Sequence, residues 1–276
     1  MSRYVAEALA GLGGGAVVAL LGLGLVLTHR ASGVINLAHA SVGAYLALAY
    51  YRFRDDGTLV LPILGLPSKV HLLPTPTQAT AFVLLVVLAA VVGVALHLLV
   101  FRPLRAAPPL ARMVGSLGLF LYTQELVRLR FGGRSAATTR RFPVLPQSSV
   151  RILGSQVGVD RLWLAGGGVA VAAILTLVAT RTRFGLLTRA AAASDEGALL
   201  MGLRPDRAAA ANWVLATVLG GLAVVLVEPI AGLDPTSTGL LIVPALAASL
   251  LGGLSSYWLT AAAGLAIGAV QAVVLG

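Results

Sequence analysis

An all-α, polytopic membrane bundle is the fold class this sequence predicts, and three observations predict it. Hydrophobic residues make up 58% of the 276 and charged residues 11%, whereas soluble domains carry about a quarter charged residues. Mean hydropathy is +0.93. The apolar residues fall in blocks close to the roughly 20 residues that a spanning helix needs. Arginines collect in short runs between these blocks, where anionic headgroups neutralise them, so the net charge of +10 points to a bilayer and not to nucleic acid. No cysteine is present, which excludes disulfides and thiolate metal sites.

Cutting the chain on that length gives eight membrane segments in one domain, 1–276. The first runs from about Ala8 to Thr28; it lacks a small-residue cleavage site before His29 and reads as a retained helix. The second, about Ser32 to Tyr51, follows with only His29 and Arg30 between. A third spans Gln78 to Val100. The fourth, Met113 to Val127, is short and carries Gln124 and Glu125, so it tilts, re-enters or packs inside protein. The fifth covers Leu162 to Thr180, and the sixth Arg207 to Val227, with Glu228 at its end. Leu240–Leu251 and Thr260–Leu275 complete the set. Runs such as GLGGGA, LGGLA and AAAGLAIGA supply the small residues through which helices approach in lipid.

Arginine in short loops sets orientation. The link FRPLRAAPPLAR, residues 101–112, holds Arg102, Arg105 and Arg112 and no acid; the stretch 181–207 holds five arginines against three acids. An alternating count puts both on one side, expected to be cytoplasmic, with both termini outside. The link from Arg128 to Arg161 then lies outside despite its seven arginines. Long loops translocate with less regard to charge, and a miscounted fourth span is the other explanation.

The 181–207 stretch, RTRFGLLTRAAAASDEGALLMGLRPDR, is a charged helix-forming insert between two membrane segments. Gly185 lets the chain turn out of the fifth span, and Leu186 to Ala193 favours helix. Ser194 before Asp195 and Glu196 reads as the N-cap of a second short helix. Gly202 ends that helix, Pro205 stops its continuation, and Asp206 is placed to cap the sixth span. Leu187, Ala191, Ala198 and Met201 share a face at helical spacing, with Arg189 elsewhere. The residues alone leave two readings, a headgroup-bound surface segment and a protein dock.

In SGVINLAHASVGAY, residues 32–45, Asn36 and His39 stand three apart and so share one face of a helix. Polar groups at membrane depth face partners or a wet cavity. They line a path or cross-link helices; Gly33 and Gly43 are placed to break the helix, as in transporters.

These motifs carry a resemblance. GVINLAHA, then FRPLR followed by a span with Gln124, then the insert with its Gly, Arg-Ala, Asp and Gly spacing, occur in this order over nearly the whole chain. The chain resembles the Liv-type permeases of ABC importers for branched-chain amino acids, a group that includes urea and short-amide permeases. The resemblance implies a multi-pass subunit of the bacterial inner membrane, paired with a second permease, alike or different. It further implies two cytoplasmic ABC ATPases that hold the ATP and magnesium, and an extracytoplasmic substrate-binding protein. On this resemblance the insert is the coupling segment, with Gly185, Arg189, Ala190, Asp195 and Gly202 matching the pattern. Asn36, His39 and Gln124 are candidate path residues.

Two departures stand out. The family usually has glycine at Ala40, and a small-residue link where this chain has Tyr257 and Trp258. Such permeases normally continue through a further helix and basic tail beyond the point where this chain ends, which suggests a truncation, a short form or one part of a fusion. Within the chain no phosphate-binding G-x-x-x-x-G-K-[ST] motif occurs, and the sole lysine, Lys69, sits in LPSKV, so energy must come from a partner. The expected function is alternating access for branched-chain or other small amino acids, the spans offering few charges for a highly charged solute. The alternatives are a urea or amide permease, or a passive channel, which has no need of the insert. An intramembrane enzyme is disfavoured, since His39 and His97 lack an evident catalytic partner.

Overall fold

The computed structural model describes residues 2–63, 69–132, 144–146, 148–152, 155–231 and 235–275. Helix α1 (Ser2–Ser32) leads to α2 (His39–Asp56). A small antiparallel pair, β1 (Thr58–Val60) and β2 (Lys69–His71), precedes α3 (Gln78–Leu96). Helix α3 runs through a π-helical turn, His97–Phe101, into the short α4 (Arg102–Leu104). Next comes α5 (Pro109–Phe131), then a second antiparallel pair, β3 (Ser149–Ile152) and β4 (Ser155–Gly158). Helices α6 (Val159–Arg181), α7 (Arg183–Ala193), α8 (Asp195–Leu200) and α9 (Pro205–Ala231) follow. The chain closes with α10 (Pro235–Leu240), α11 (Ile242–Leu251) and α12 (Tyr257–Leu275).

Five stretches of the described residues are long and apolar enough to cross a bilayer: Glu7–Ser32, Gln78–Leu104, Val159–Arg181, Pro205–Val227 and Tyr257–Leu275. Three expected segments differ from these. The second begins at His39 and not at Ser32, because Gly33 adopts a left-handed φ of +65° and its N–H closes on the His29 carbonyl, ending α1. Its charges gather at the far end, where Arg52 pairs with Asp56 one turn away. The fourth is not short: α5 has 23 residues, with polar ends that include an Arg128–Glu125 pair. The seventh, Leu240–Leu251, is found as the 10-residue α11, too short to span alone and set off from α10 just before it. Pro244 explains the break, because its ring excludes the carbonyl four residues earlier, that of Leu240 where α10 stops.

Helix α2 is the centre of the bundle. From His39 to Tyr51 every residue is buried, and Leu46, Tyr50 and Tyr51 join Leu21 and Leu25 of α1, Leu85 of α3 and Val224 of α9 in one core. Helix α1 packs along α12 by backbone approach. A Cβ on Gly264 would lie 2.6 Å from the Ala19 Cα, and one on Gly268 would meet the backbone of Gly15. Helices this close gain dispersion contacts that lipid tails cannot supply.

The connections sort to two ends. At one end Arg30 donates to the Ser255 carbonyl at 3.2 Å, Arg105 donates to Ala31 at 2.9 Å, and Asp206 meets His97 and Arg102. The 101–112 link and the 181–207 insert therefore lie together, as expected. At the other end Arg130 reaches the Ile63 carbonyl, and Arg161 donates to Ala10 at 3.1 Å. The described ends of the Arg128–Arg161 link thus sit opposite the insert, with α5 running between the two ends.

Close backbone approach makes a prediction. Gly264→Leu should lower the thermal midpoint of the purified protein in detergent by several degrees, since overpacking costs about 1–3 kcal/mol and the obstacle here is backbone. Gly166→Leu, where a Cβ meets nothing within 4 Å, should leave the midpoint unchanged.

Candidate functional site

His39 opens α2, and its ring lies where α1 and α9 come closest to that helix. A Cβ on Gly24 of α1 would collide with the ring, and one on Gly220 of α9 would lie 3.0 Å from it. Two glycines therefore make the socket. The histidine is 3% exposed, and its Nε2 has no hydrogen-bond partner among the described residues. Asn36 does not share a helix face with it. It sits in the non-helical link before α2, where its carbonyl accepts the His39 N–H at 3.2 Å. Gly33 breaks the helix as expected and leaves Asn36 outside α2, so the i, i+3 relation does not apply, whereas Gly43 lies within an unbroken α2 and makes no break. Even so Asn36 and His39 are neighbours in the chain fold, and Asn36 Oδ1 is likewise buried and unpartnered among the described residues. An unsatisfied buried polar atom costs about 1–3 kcal/mol, so this pair is the polar feature of the link that the surrounding apolar packing does not account for.

Helix α5 lines the other flank of α2. Ser116 Oγ accepts the Leu37 N–H at 2.7 Å, and Ser41 and Thr123 share a hydrogen bond at 2.5 Å. Gln124 is half-buried beside α10, where a Cβ on Gly239 would strike its side-chain amide. It therefore belongs to the α5–α10 seam and not to the His39 socket. Sequence reading missed Gly24, Gly220, Ser41, Ser116 and Thr123. The seven-residue spacing of Ser116 and Thr123 was a visible signal of one polar helix face; the two glycines were hidden among many like them.

The insert folds as two short helices. Thr182 caps α7 by accepting the Gly185 N–H at 3.2 Å. Ser194 caps α8 through the Gly197 N–H at 3.0 Å. Gly202 ends α8 with a φ of +73°. Gly185 is buried hard against the end of α6, where a Cβ would strike the Val178 and Ala179 carbonyls. Arg189 is exposed and Ala190 half-buried. The backbone of Asp195 begins α8; its side chain lies outside the described residues. The expected apolar face is only partly inward. Ala198 is buried, Leu187 and Ala191 are half-buried, and Met201 is 67% exposed. Leu186, Leu199 and, at 90% exposure, Leu200 also point outward. Several outward apolar side chains on a charged surface segment mark an interaction surface.

Two ties, made of three bonds, fasten the insert to the bundle, and neither was anticipated. Asn212 of α9 donates to Thr188 of α7 at 3.1 Å, with both side chains buried. Asp206 does not cap α9. It lies in the first helical turn and accepts from His97 at 3.1 Å and Arg102 at 3.3 Å, joining the π-turn of α3 to the start of α9. That turn arises where Pro103 withholds a donor from the helix ladder. Helix α9 is thus fixed to the insert at its start and to His39 at Gly220, about 22 Å further along at 1.5 Å per residue.

The family described as the branched-chain amino acid transport system permease component matches residues 8–276. The chain belongs to this family. A high-affinity branched-chain amino acid transport system permease protein, BraD, of Pseudomonas aeruginosa is 25% identical over 274 residues, covering 98% of this chain and 86% of its own. The permease protein LivH of Escherichia coli K12 is 26% identical over 263 residues, covering 94% and 82%. A probable LivH permease of Methanocaldococcus jannaschii is 25% identical over 249 residues, covering 86% and 70%. No solved structure matches the chain significantly. The permease is an integral membrane transport component and not an enzyme; ATPase activity in this family belongs to separate subunits.

The socket makes the first functional prediction for the permease. His39→Ala and Asn36→Ala should each cut substrate uptake about tenfold while leaving the protein folded and associated with its partners. Gly220→Ala should impair uptake in the wild type but add nothing in the His39→Ala background, because the added methyl then meets no ring. Additive losses in vesicle uptake would separate Gly220 from His39. A second prediction concerns the α3–α9 tie. Asp206→Ala strands a fully buried His97 and should cost about 1–3 kcal/mol in detergent unfolding; an unchanged midpoint would show the tie to be idle.

Proposed function

We propose that the chain is the membrane-spanning subunit of an ABC importer for branched-chain or other small amino acids, working by alternating access. In this reading it pairs with a second permease, docks two cytoplasmic ATPases and receives substrate from an extracytoplasmic binding protein. The relatives' transport names support the substrate class. The observation that carries the mechanism is the continuity of outward insert, α9 and His39 socket.

In this reading the partner ATPases hold the ATP. This chain's sole lysine, Lys69, is an exposed residue of β2, on the end opposite the insert, and no phosphate-cradling glycine loop is present. The chain's own contribution is mechanical. Partner closure presses on Leu199, Leu200, Met201 and Arg189. Gly202 and the short turn to Pro205 pass the displacement to α9, and the Thr188–Asn212 bond keeps α7 in step. Helix α9 then moves Gly220 against the His39 ring and changes the exposure of Asn36 and His39 to the path. A passive channel has no use for such a lever, which favours the importer reading.

The test is co-purification and uptake in one experiment. Arg189→Glu, Asp195→Arg and Leu200→Glu should each release a co-expressed ATPase and lower amino-acid uptake about tenfold or more. Unchanged co-purification with unchanged uptake would sink the coupling assignment.

A further inference from the structure

On the reading of Asn36 and His39 as path residues, we propose that Ser116 of α5 is a positioning residue for that path. It holds the peptide unit between Asn36 and Leu37, and through that unit it directs the Asn36 side chain.

The link that carries Asn36 has little to hold it from within. Gly33 ends α1, and α2 begins only at His39. Ala38, the residue before α2, brings no capping side chain. Buried peptide groups need partners, so this link takes them from its surroundings. The Asn36 carbonyl accepts the His39 N–H at 3.2 Å. The N–H of the same peptide unit, that of Leu37, donates to Ser116 Oγ at 2.7 Å. Because a peptide unit is planar, holding its carbonyl and its N–H together fixes the plane and the direction in which the Asn36 side chain leaves it. Ser116 is 0% exposed and Asn36 2%.

The α4–α5 region holds both sides of the break. Arg105, in the turn before α5, donates to the Ala31 carbonyl at 2.9 Å. Beyond the link, Ser41 in the first turn of α2 shares a buried hydrogen bond with Thr123 of α5, which lies two turns after Ser116 on the same helix face. The α9 flank is different in kind. There a Cβ on Gly43 would lie 2.7 Å from the Gly220 carbonyl oxygen, and one on Gly220 would lie 3.0 Å from the His39 ring. A hydrogen bond from α2 to α9 comes at Tyr51, whose hydroxyl donates to the Val225 carbonyl at 2.9 Å, about 18 Å along α2 from His39. Glycine contacts carry no directional bond. Helix α9 can therefore slide against the ring while α5 keeps Asn36 in place, so the path has one fixed wall and one moving wall.

The test is coupling, read as leucine imported per ATP hydrolysed by the assembled transporter in proteoliposomes. A merely structural defect lowers import and hydrolysis together, whereas a misdirected Asn36 lowers their ratio. Ser116→Ala should lower the ratio about tenfold with ATPase co-purification unchanged. In the Asn36→Ala background it should add nothing, because the group it directs is gone. Ser249→Ala, which removes a buried hydroxyl bonded within α11, should keep the wild-type ratio. If Ser116→Ala does not assemble, Ser116→Cys serves: the thiol is close in size but a weak acceptor, and it should also lower the ratio. A wild-type ratio in the Ser116 variant, an equal loss in Ser249→Ala, or a full further loss in the Asn36→Ala background overturns the proposal. A wild-type ratio in Asn36→Ala alone overturns the path reading beneath it, an outcome distinct from a failure at Ser116.

Discussion

The packing of one imidazole between two glycines holds the rest of this architecture in relation. His39 stands at the first turn of the central helix, and both α1 and α9 approach its ring without side chains of their own at Gly24 and Gly220. Any larger residue at either position would separate the helices or turn the ring. The socket therefore ties three helices to one buried polar group, whose Nε2 has no partner among the described residues and is costly to leave so. A break immediately before it, at Gly33, brings Asn36 into the same neighbourhood without placing it on a helix.

In the proposed mechanism α9 is the lever from that socket to the surface. Helix α9 is straightforwardly apolar in composition, yet its start is tied by Asp206 to the π-turn of α3 and by Asn212 to the insert. The Asn212–Thr188 bond is buried on both sides and so resists the exchange with water that weakens exposed pairs, whereas the Asp206 tie joins a buried His97 to a carboxylate that is 40% exposed. The insert itself is small, and its outward leucines do not contribute to the core. That combination, rigid attachment with apolar exposure, is what a transmitting element needs.

Much of this was legible in the sequence. The caps at Ser194 and Gly202 and the two-helix form of the insert follow from residues whose local chemistry is strong enough to act alone. The segment centres also followed from hydropathy, because lipid imposes length. What was not legible depended on distant partners. Thr188 and Asn212 look like ordinary polar residues until α7 folds back on α9. Asp206 has the makings of a cap, but the nearby His97 and Arg102 compete for it. Gly33 was legible as a helix breaker, but Asn36 was still put on a helix because spacing rules do not say how many residues beyond the break the next helix begins. Gly220 was indistinguishable from its neighbours, since only the fold reveals which small residue faces a ring.

The central claim is that displacement of the insert reaches His39 through α9. It is tested most directly by uncoupling the two without disturbing either. A Gly-Ser-Gly insertion after Leu203 slackens the junction, and the near-isosteric Asn212→Leu removes the remaining bond to α7. Amino-acid uptake by the assembled transporter, measured beside ATPase co-purification, reads the outcome. The account predicts retained ATPase binding with uptake reduced about tenfold or more. Normal uptake with normal binding would contradict it and require a route that bypasses α9.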